Sequence, residues 1–198
     1  MGEPDGPTFQ RRTVYFLPRL ELVGLIGGAL GSQTTTPHFE AEGFAGAGGR
    51  LCLDFMAATS DGGPPNYPYN GWGGGACYTA LYSDRGFYQQ RISAGIRPFL
   101  LDGTLMFPVD LTFVHDIAPP GTPTMPQQPD QFGGLLNVGV RWFFHRNLAD
   151  GPGANMYLGG DIGIGGIGNA SDSASGNRGY GGVYGELQLV FGSQFRFP

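Results

Sequence analysis

Three glycines near the C-terminus have the spacing that best matches a known chemistry. The stretch YLGGDIGIGGIG, residues 157–168, contains Gly163, Gly165 and Gly168 in the G-x-G-x-x-G arrangement of a loop that binds the pyrophosphate of a dinucleotide. Such a loop needs a helix directly after it, and the Gly- and Ser-rich run to Gly176 forms helix poorly. Taken every second residue, one face of the stretch is polar or small and the other is mostly apolar. The pattern therefore predicts a β-strand and not a nucleotide site.

Histidines are the next candidates for chemistry. A serine hydrolase needs a serine nucleophile, a histidine base and an acid within hydrogen-bond distance. His115, Asp116 and a loop serine, Ser60 or Ser83, would supply those groups, but a solvated histidine is the simpler interpretation and the one we favour. We therefore predict no catalytic residue and no enzyme activity. The other two histidines are His38 and His145.

Metal and cofactor sites are not indicated by the remaining ligand-type residues. Two cysteines and three histidines at scattered positions match no zinc spacing. The loop NASDSASGN, residues 169–177, lacks the dense carboxylates of a calcium loop. We predict neither a metal nor a cofactor. Cys52 and Cys77 would form one disulfide in an oxidising compartment or remain two free thiols, and the sequence leaves both open.

Composition narrows the class of protein. The chain has 198 residues, among them 37 Gly and 16 Pro, which suits one all-β domain and no long helix. Its net charge is −5 without a basic cluster, so we expect no nucleic-acid partner. It has no apolar run long enough for a transmembrane helix. We assign residues 1–11 to a flexible N-terminal segment without signal-peptide features, and residues 12–197 to a single domain of a mature form.

Amphipathic alternation recurs along the whole domain. Each run has about ten residues, which is the length of a tilted strand that crosses a bilayer. We predict an all-β fold, an eight-stranded antiparallel up-and-down transmembrane β-barrel, with a turn at Gly48-Gly49 and a hairpin at Asp102-Gly103. The eight runs cover residues 16–26, 39–45, 51–55, 88–100, 105–113, 136–144, 155–166 and 183–197.

The connections between these runs alternate in length. Transmembrane barrels have short periplasmic turns at one end and longer extracellular loops at the other, and we predict that division here. The shorter predicted connections are residues 47–49, 101–103 and 146–154, and the longer ones are residues 59–86, 115–131 and 168–179.

The two faces of the runs differ in volume and charge. The apolar faces carry roughly thirty large side chains, too many for the interior of an eight-stranded barrel, so we predict that they point outward. The other face holds nearly balanced charges, which suits a lumen of ion pairs because an unpaired buried charge is costly. The alternative is a water-soluble β-sandwich or carrier with the apolar faces inside. The predicted lumen network is Arg19, Glu21, Glu40, Glu42, Arg50, Asp54, Arg91, Arg97, Asp110, Arg141, Asp161 and Glu186.

Aromatic residues fall in two groups. Outward aromatics near both rims are expected where rings lie at the lipid headgroups. Aromatics among Gly, Asn and Pro in the predicted loop 59–86 suit either a binding surface or a cap on the barrel mouth. The predicted girdle residues are Phe16, Phe39, Tyr88, Phe107, Phe113, Trp142, Phe144, Phe195 and Phe197. The loop candidates are Tyr67, Tyr69, Trp72, Tyr78 and Tyr82.

The C-terminus has the most specific motif. The end Gly192-Ser-Gln-Phe195-Arg-Phe197 resembles the C-terminal β-signal of bacterial outer-membrane proteins, although Pro198 follows the closing aromatic. Together with the alternation over residues 12–197, the chain resembles small eight-stranded outer-membrane barrels of the OmpA/OmpX/OmpW-like kind. That resemblance implies a bacterial outer-membrane location, contact with the lipid bilayer and lipopolysaccharide, and recognition by the barrel-assembly machinery.

These expectations lead to a functional prediction. We expect a structural or adhesive role through the loops 59–86 and 115–131, with the lumen closed by paired charges. The alternatives are a narrow solute pore, a subunit of a larger complex with another envelope protein, and a lipid A-modifying barrel enzyme. Lipid A deacylases carry histidine and serine two positions apart on one strand, whereas Arg146 and Asn147 follow His145 here.

Overall fold

The computed structural model describes most of the chain between residues 11 and 196. The described ranges are 11–33, 36–60, 71–84, 86–101, 103–117, 130–146, 153–169 and 180–196, with the backbone alone for 11–13, 32–33, 36–42, 58–60, 153, 169, 180–181 and 196. This part of the chain is all-β, and it contains no helix that could cross a membrane. Its strands are β1 (Arg11–Gln33), β2 (Thr36–Ser60), β3 (Trp72–Ser83), β4 (Tyr88–Ile96), β5 (Phe99–Leu100), β6 (Leu105–Met106), β7 (Val109–Ile117), β8 (Gln131–His145), β9 (Gly153–Asn169) and β10 (Tyr180–Arg196).

The strands close into a barrel. Each strand pairs antiparallel with its neighbours, and β10 pairs back onto β1 from Arg19↔Gln194 to Gln33↔Tyr180. The pairs β4/β5 and β6/β7 are each one barrel strand interrupted beside a proline, which has no N–H to donate. The backbone N–H of Phe107 donates to the carbonyl of Pro98 at 2.9 Å, so pairing continues across both interruptions. The predicted eight-stranded antiparallel up-and-down barrel is therefore confirmed.

The stagger of the strands fixes their tilt. Successive paired residues lead from Leu22 of β1 once around the barrel and back to β1 at Ser32, ten residues further on. The residues paired in between are Gly49, Ala80, Gln90, His115, Phe132, Gly168 and Gly181. Such a stagger over eight strands corresponds to a tilt of roughly 40° from the barrel axis. We call the end where β1 begins and β10 finishes the terminal end, and the opposite end the distal end.

The predicted turn at Gly48-Gly49 is wrong. Strand β2 runs straight through it, and Gly48 pairs with Val23 on one side and Leu81 on the other. A Cβ at Gly48 would overlap the carbonyl of Ala80 in β3. The glycine there allows two backbones to approach closely and does not form a turn.

Strand β3 lies inside the segment 59–86 that was predicted to be a loop. Because the predicted runs 39–45 and 51–55 are one strand, β2, the missed β3 restores the count to eight. The connection from β2 to β3 therefore lies at the terminal end and the connection from β3 to β4 at the distal end. The predicted division into short and long connections does not hold in the form proposed. Residues 47–49 lie within β2, and β3 lies inside the predicted connection 59–86.

The glycine-rich stretch 157–168 lies within β9, which pairs with β8 on one side and β10 on the other. Its inward glycines make room for luminal side chains. A Cβ at Gly163 would overlap Asn137 Oδ1 and lie 2.9 Å from Glu186 Cγ. Two glycines of the spacing that resembles a nucleotide loop, Gly163 and Gly165, thus lie on the inward face of a strand, and Gly168 lies on its other face.

This geometry predicts opposite outcomes for two glycines of β9. Gly163→Ala should lower the free energy of unfolding by about 1–3 kcal/mol, because the new methyl group overpacks the lumen. Gly166 faces outward, and a Cβ there would lie 3.6 Å from the nearest atom, the carbonyl oxygen of Gly182. Gly166→Ala should therefore leave stability unchanged or raise it slightly. Denaturant unfolding of the detergent-folded protein measures both, and equal losses would contradict the luminal packing.

Candidate functional site

The outer face of the barrel is apolar on all sides. In the described strands every exposed side chain is aliphatic, aromatic, alanine or glycine, except His145 at the end of β8. Leu22 is 67% exposed, Leu111 71% and Leu189 69%, although they lie on different strands. Soluble monomers rarely expose a contiguous apolar patch larger than a few hundred Å². The alternative of a sandwich or carrier with its apolar faces inside is wrong, because the barrel carries those faces outside.

Aromatic side chains mark both edges of this apolar surface, which we call the belt. Allowing for the tilt, one row lies near the terminal end and a second near the distal end. The terminal row contains Phe16, Phe55, Trp72, Trp142, Phe144 and Phe195. The distal row contains Tyr82, Tyr88, Phe113 and Phe132.

The predicted girdle residues agree with these rows in part. Phe16, Tyr88, Phe113, Trp142, Phe144 and Phe195 are outward and exposed. Phe107, at the interruption before Pro108, is less exposed than these residues because it is half-buried. The side chains of Phe39 and Phe197 lie outside the described residues. The sequence-based girdle lacks Phe55 and Phe132. Phe55 ends the predicted run 51–55, whose alternation could have shown it, whereas Phe132 precedes the predicted run 136–144.

The height of the belt follows from β8. Phe132 and Trp142 both point outward from this strand, ten residues apart and in opposite rows. At about 3.4 Å per residue and a tilt of roughly 40°, they are separated by about 25 Å along the barrel axis. The apolar band of outer-membrane barrels has about this height.

Inside the barrel, side chains form three layers. Along β1 the inward residues are Leu17, then Arg19 and Glu21, then Val23 and Leu25. The same order of apolar, charged and apolar residues recurs on the other long strands. The terminal apolar layer comprises Leu17, Met56, Phe99, Met106, Phe143, Tyr157 and Val190. The distal apolar residues are Val23, Leu25, Leu81, Val114, Leu135, Ile167 and Tyr184, with Phe44 packed against them.

Glu21 is the centre of the charged layer. Its Oε2 accepts a hydrogen bond from Arg50 Nη1 at 2.9 Å, and its Oε1 accepts from Arg141 Nε at 3.2 Å. Arg19 forms a further ion pair with Oε1, and the hydroxyl of Tyr157 donates to it at 2.9 Å. The Glu21 side chain is fully buried. Three guanidinium groups therefore converge on one carboxylate in a site without solvent.

The remaining ion pairs extend this centre across the lumen. Asp161 accepts from Arg141 at 2.6 Å and from Arg50 at 2.9 Å. Arg97 pairs with Asp54 at 3.2 Å and with Asp110 at 2.6 Å. Since Asp54 also pairs with Arg19, these groups form one connected network with Glu21.

A second centre lies nearer the distal end. Arg91 donates to Glu186 at 2.7 Å and to the hydroxyl of Tyr184 at 3.0 Å. Gln188 joins the two centres, because its amide accepts from Arg50 and donates to Glu186. Of the twelve predicted network residues, the ten whose side chains are described point into the lumen and belong to these two centres. The side chains of Glu40 and Glu42 lie outside the described residues.

The charged layer leaves little free space. A polar cavity lined by Arg50, Arg91, Asp110, Asn137 and Asp161, among others, has room for about one water molecule. Within the described residues the layer is thus filled by side chains and contains no continuous channel of solvent width.

Cys52 and Cys77, whose state the sequence left open, form a disulfide in the charged layer. They are direct cross-strand partners on β2 and β3, with Cα atoms 4.0 Å apart. Both are buried, and Cys77 Sγ lies 3.6 Å from Arg97 Nη2 and 3.8 Å from Arg19 Nη2. The pairing could not be predicted because β3 itself was not recognised.

The aromatic loop predicted at 59–86 is largely a strand. Trp72, Tyr78 and Tyr82 lie on β3 and face outward on the belt, so their assignment to a binding loop is wrong. Tyr67 and Tyr69 lie outside the described residues. The glycines before Cys77 gave this segment a loop-like composition, but a Cβ at Gly75 would overlap Asp54 Oδ1. Gly75 therefore makes room for the charged layer.

The serine–histidine–aspartate arrangement considered for His115 is not assembled. His115 stacks on Phe132 on the outer face, with ring centroids 4.5 Å apart, and its Nε2 lies 3.0 Å from Asp130 Oδ2. Asp116 points inward and is buried. Ser83 Oγ accepts the backbone N–H of Phe87. Ser60 ends β2 at the opposite end of the barrel from His115.

His145 is exposed at the terminal end, and the side chain of His38 lies outside the described residues. Among the described residues no group of three or more His, Cys, Asp or Glu side chains could hold a metal ion.

No protein-family model matches this chain, and the curated proteins contain no match to it. The likeness to OmpA/OmpX/OmpW-like barrels therefore stays a prediction from the sequence.

Removing the charge of Glu21 tests the charged layer. Glu21→Gln should lower the free energy of unfolding by about 3–5 kcal/mol, because the guanidinium groups around it lose a buried counter-charge. Adding Arg141→Met to this variant removes one of those cations and should recover part of the loss. Denaturant unfolding of the four proteins in this double-mutant cycle gives the coupling. Strictly additive effects would show that the two side chains do not interact.

Proposed function

We propose that this protein is an integral β-barrel of a bacterial outer membrane, with its belt in contact with lipid. The observation that carries the proposal is the outer face: the belt is apolar on all eight strands, about 25 Å high and edged by aromatic rows, while the charges face the lumen. A closed barrel also suits a bilayer because every strand finds its backbone partners within the protein.

Two further features support export to a cell envelope. A disulfide persists in oxidising compartments such as the periplasm, and this chain pairs its two cysteines. The end of β10 carries the stretch that resembles a β-signal, which fits recognition by the barrel-assembly machinery. On that resemblance we assign the terminal end to the periplasm and the distal end to the cell surface, where lipopolysaccharide would contact the distal aromatic row.

The role we propose is structural or adhesive. The filled lumen favours binding over transport, and binding would use the distal connections, which include residues 118–129 and 170–179 outside the described residues. The connection between β2 and β3 lies at the terminal end, which we assign to the periplasm, so we do not propose it as a binding loop at the cell surface. A partner protein of the envelope would contact the outer face of the barrel. Glycines such as Gly24 and Gly43 carry no side chain there and would allow close contact.

Membrane insertion predicts different costs for two equally exposed leucines. Leu22 lies midway between the aromatic rows and Leu101 in the turn between β5 and β6, and each is 67% exposed. In lipid vesicles Leu22→Arg should lower the free energy of unfolding by about 2–4 kcal/mol, and Leu101→Arg by about 0–1 kcal/mol. If both variants were as stable as the wild type and remained soluble without detergent, the belt would face water.

The closed lumen predicts an absence of current. The wild-type protein should carry no steady ion current in planar bilayers, because charged and apolar layers fill the interior. The triple variant Leu135→Ala, Arg141→Ala, Phe143→Ala removes one inward side chain of β8 from each of the three layers and should conduct. Trp142→Ala, which changes an outward residue between them, should stay silent. A steady wild-type current would contradict the closed lumen and favour the narrow pore.

A further inference from the structure

The disulfide is buried inside the barrel. Cys52 is 0% exposed and Cys77 is 5% exposed, both within the charged layer. The terminal apolar layer covers them on one side and the distal apolar residues on the other. Their sulfur atoms therefore have no open path to either mouth through the described part of the lumen.

Disulfide chemistry requires such a path. A thiolate attacks a disulfide sulfur of the oxidant through a mixed-disulfide intermediate, so the oxidant must reach the cysteine directly. The polar cavity of the charged layer has room for about one water molecule. Neither glutathione disulfide nor the active site of an oxidoreductase fits in a space of that size.

We propose that Cys52 and Cys77 are oxidised before the barrel closes, by a disulfide-carrying thiol oxidant that acts on the open chain. One cysteine thiolate attacks the oxidant, forming a mixed disulfide and releasing one oxidant thiolate. The second cysteine thiolate then attacks the mixed disulfide and releases the other. The two cysteine thiols lose two electrons and two protons, and the oxidant disulfide gains them and becomes a dithiol.

The register of the β2–β3 hairpin by itself brings the two cysteines together. The two cysteines are 25 residues apart in sequence and are direct partners in the β2–β3 hairpin. Twelve register pairs, from Gly46↔Ser83 to Ala57↔Trp72, define that hairpin, and the cysteine pair lies in its middle. The other luminal groups beside the disulfide come from elsewhere in the barrel. Arg19 lies on β1, and Arg97 directly follows β4.

The consequence is an order of events in biogenesis. The partner is a thiol oxidase or a small disulfide oxidant that meets the unfolded chain, and closure of the barrel follows it. The inference depends on the closed barrel and the burial of the sulfur atoms, and it holds whether or not the belt contacts lipid.

The test compares oxidation of the open and the closed chain. The reduced protein is folded in detergent micelles, and closure is checked by the mobility of the unboiled sample on a gel. Glutathione disulfide is then added, and free thiols are counted at intervals with a maleimide reagent after denaturation. The same reaction is run on the chain in denaturant. We expect oxidation of the closed barrel to be slower by about 100-fold or more, because it proceeds only through rare opening.

A second cysteine pair controls for detergent and for strand geometry. In the Cys52→Ser, Cys77→Ser background, Ala57→Cys and Trp72→Cys place a pair at the same hairpin, facing outward at the terminal row. This pair should oxidise in the closed barrel within about tenfold of its rate in denaturant, since its sulfur atoms are exposed. A slow native pair beside a fast outward pair supports the inference.

Two results would overturn it. One is equal oxidation rates for the native pair in the closed and the denatured chain. The other is a protein from its native host whose intact mass shows two free thiols. If the reduced chain fails to close while the oxidised chain closes, oxidation before closure is again required, and the inference stands.

Discussion

The barrel depends on the electrostatic balance around Glu21. Three guanidinium groups and a tyrosine hydroxyl converge on this carboxylate in a site without solvent. Any one of those charges alone would be too costly to bury, but together they satisfy one another. The groups come from β1, β2, β8 and β9, so the network joins strands that are far apart in sequence. It can form only when the sheet is closed, which makes closure and charge pairing a single event.

The other inward residues give the arginine side chains the space and the counter-charges that they need. Arginine side chains are long, and the strands opposite them carry glycine where a Cβ would overlap a charged group, as at Gly139 beside Asp161. The apolar layers above and below keep water away from the ion pairs. Because the inward positions are taken by polar groups, the large apolar side chains occupy the outer face. An inside-out distribution of this kind is typical of barrels that span a membrane.

Much of this arrangement could be predicted from alternation. A period of two residues assigned most strands, separated luminal from outward residues, and identified the ten network residues that the structure describes. Alternation failed where glycine took the place of side chains. In β2, Gly48 and Gly49 looked like a turn, and in β3 the glycines at 73–75 looked like a loop. At Gly48, Gly73 and Gly75 a Cβ would overlap a neighbouring backbone or side chain, a tertiary cause that one strand's sequence does not reveal. The disulfide and the ion-pair partners depend on register, which is known only once all eight strands are paired.

All five described cations of the charged layer are arginine, and the chain contains no lysine. A guanidinium group keeps its proton at any pH a cell can reach, whereas a carboxylate can accept one. A change of pH can therefore alter the charge of this layer at its carboxylates but not at its arginines. Each carboxylate of the two centres is paired with at least one arginine. The positive charge of the described lumen is thus fixed, and only a change at a carboxylate can leave arginines facing one another.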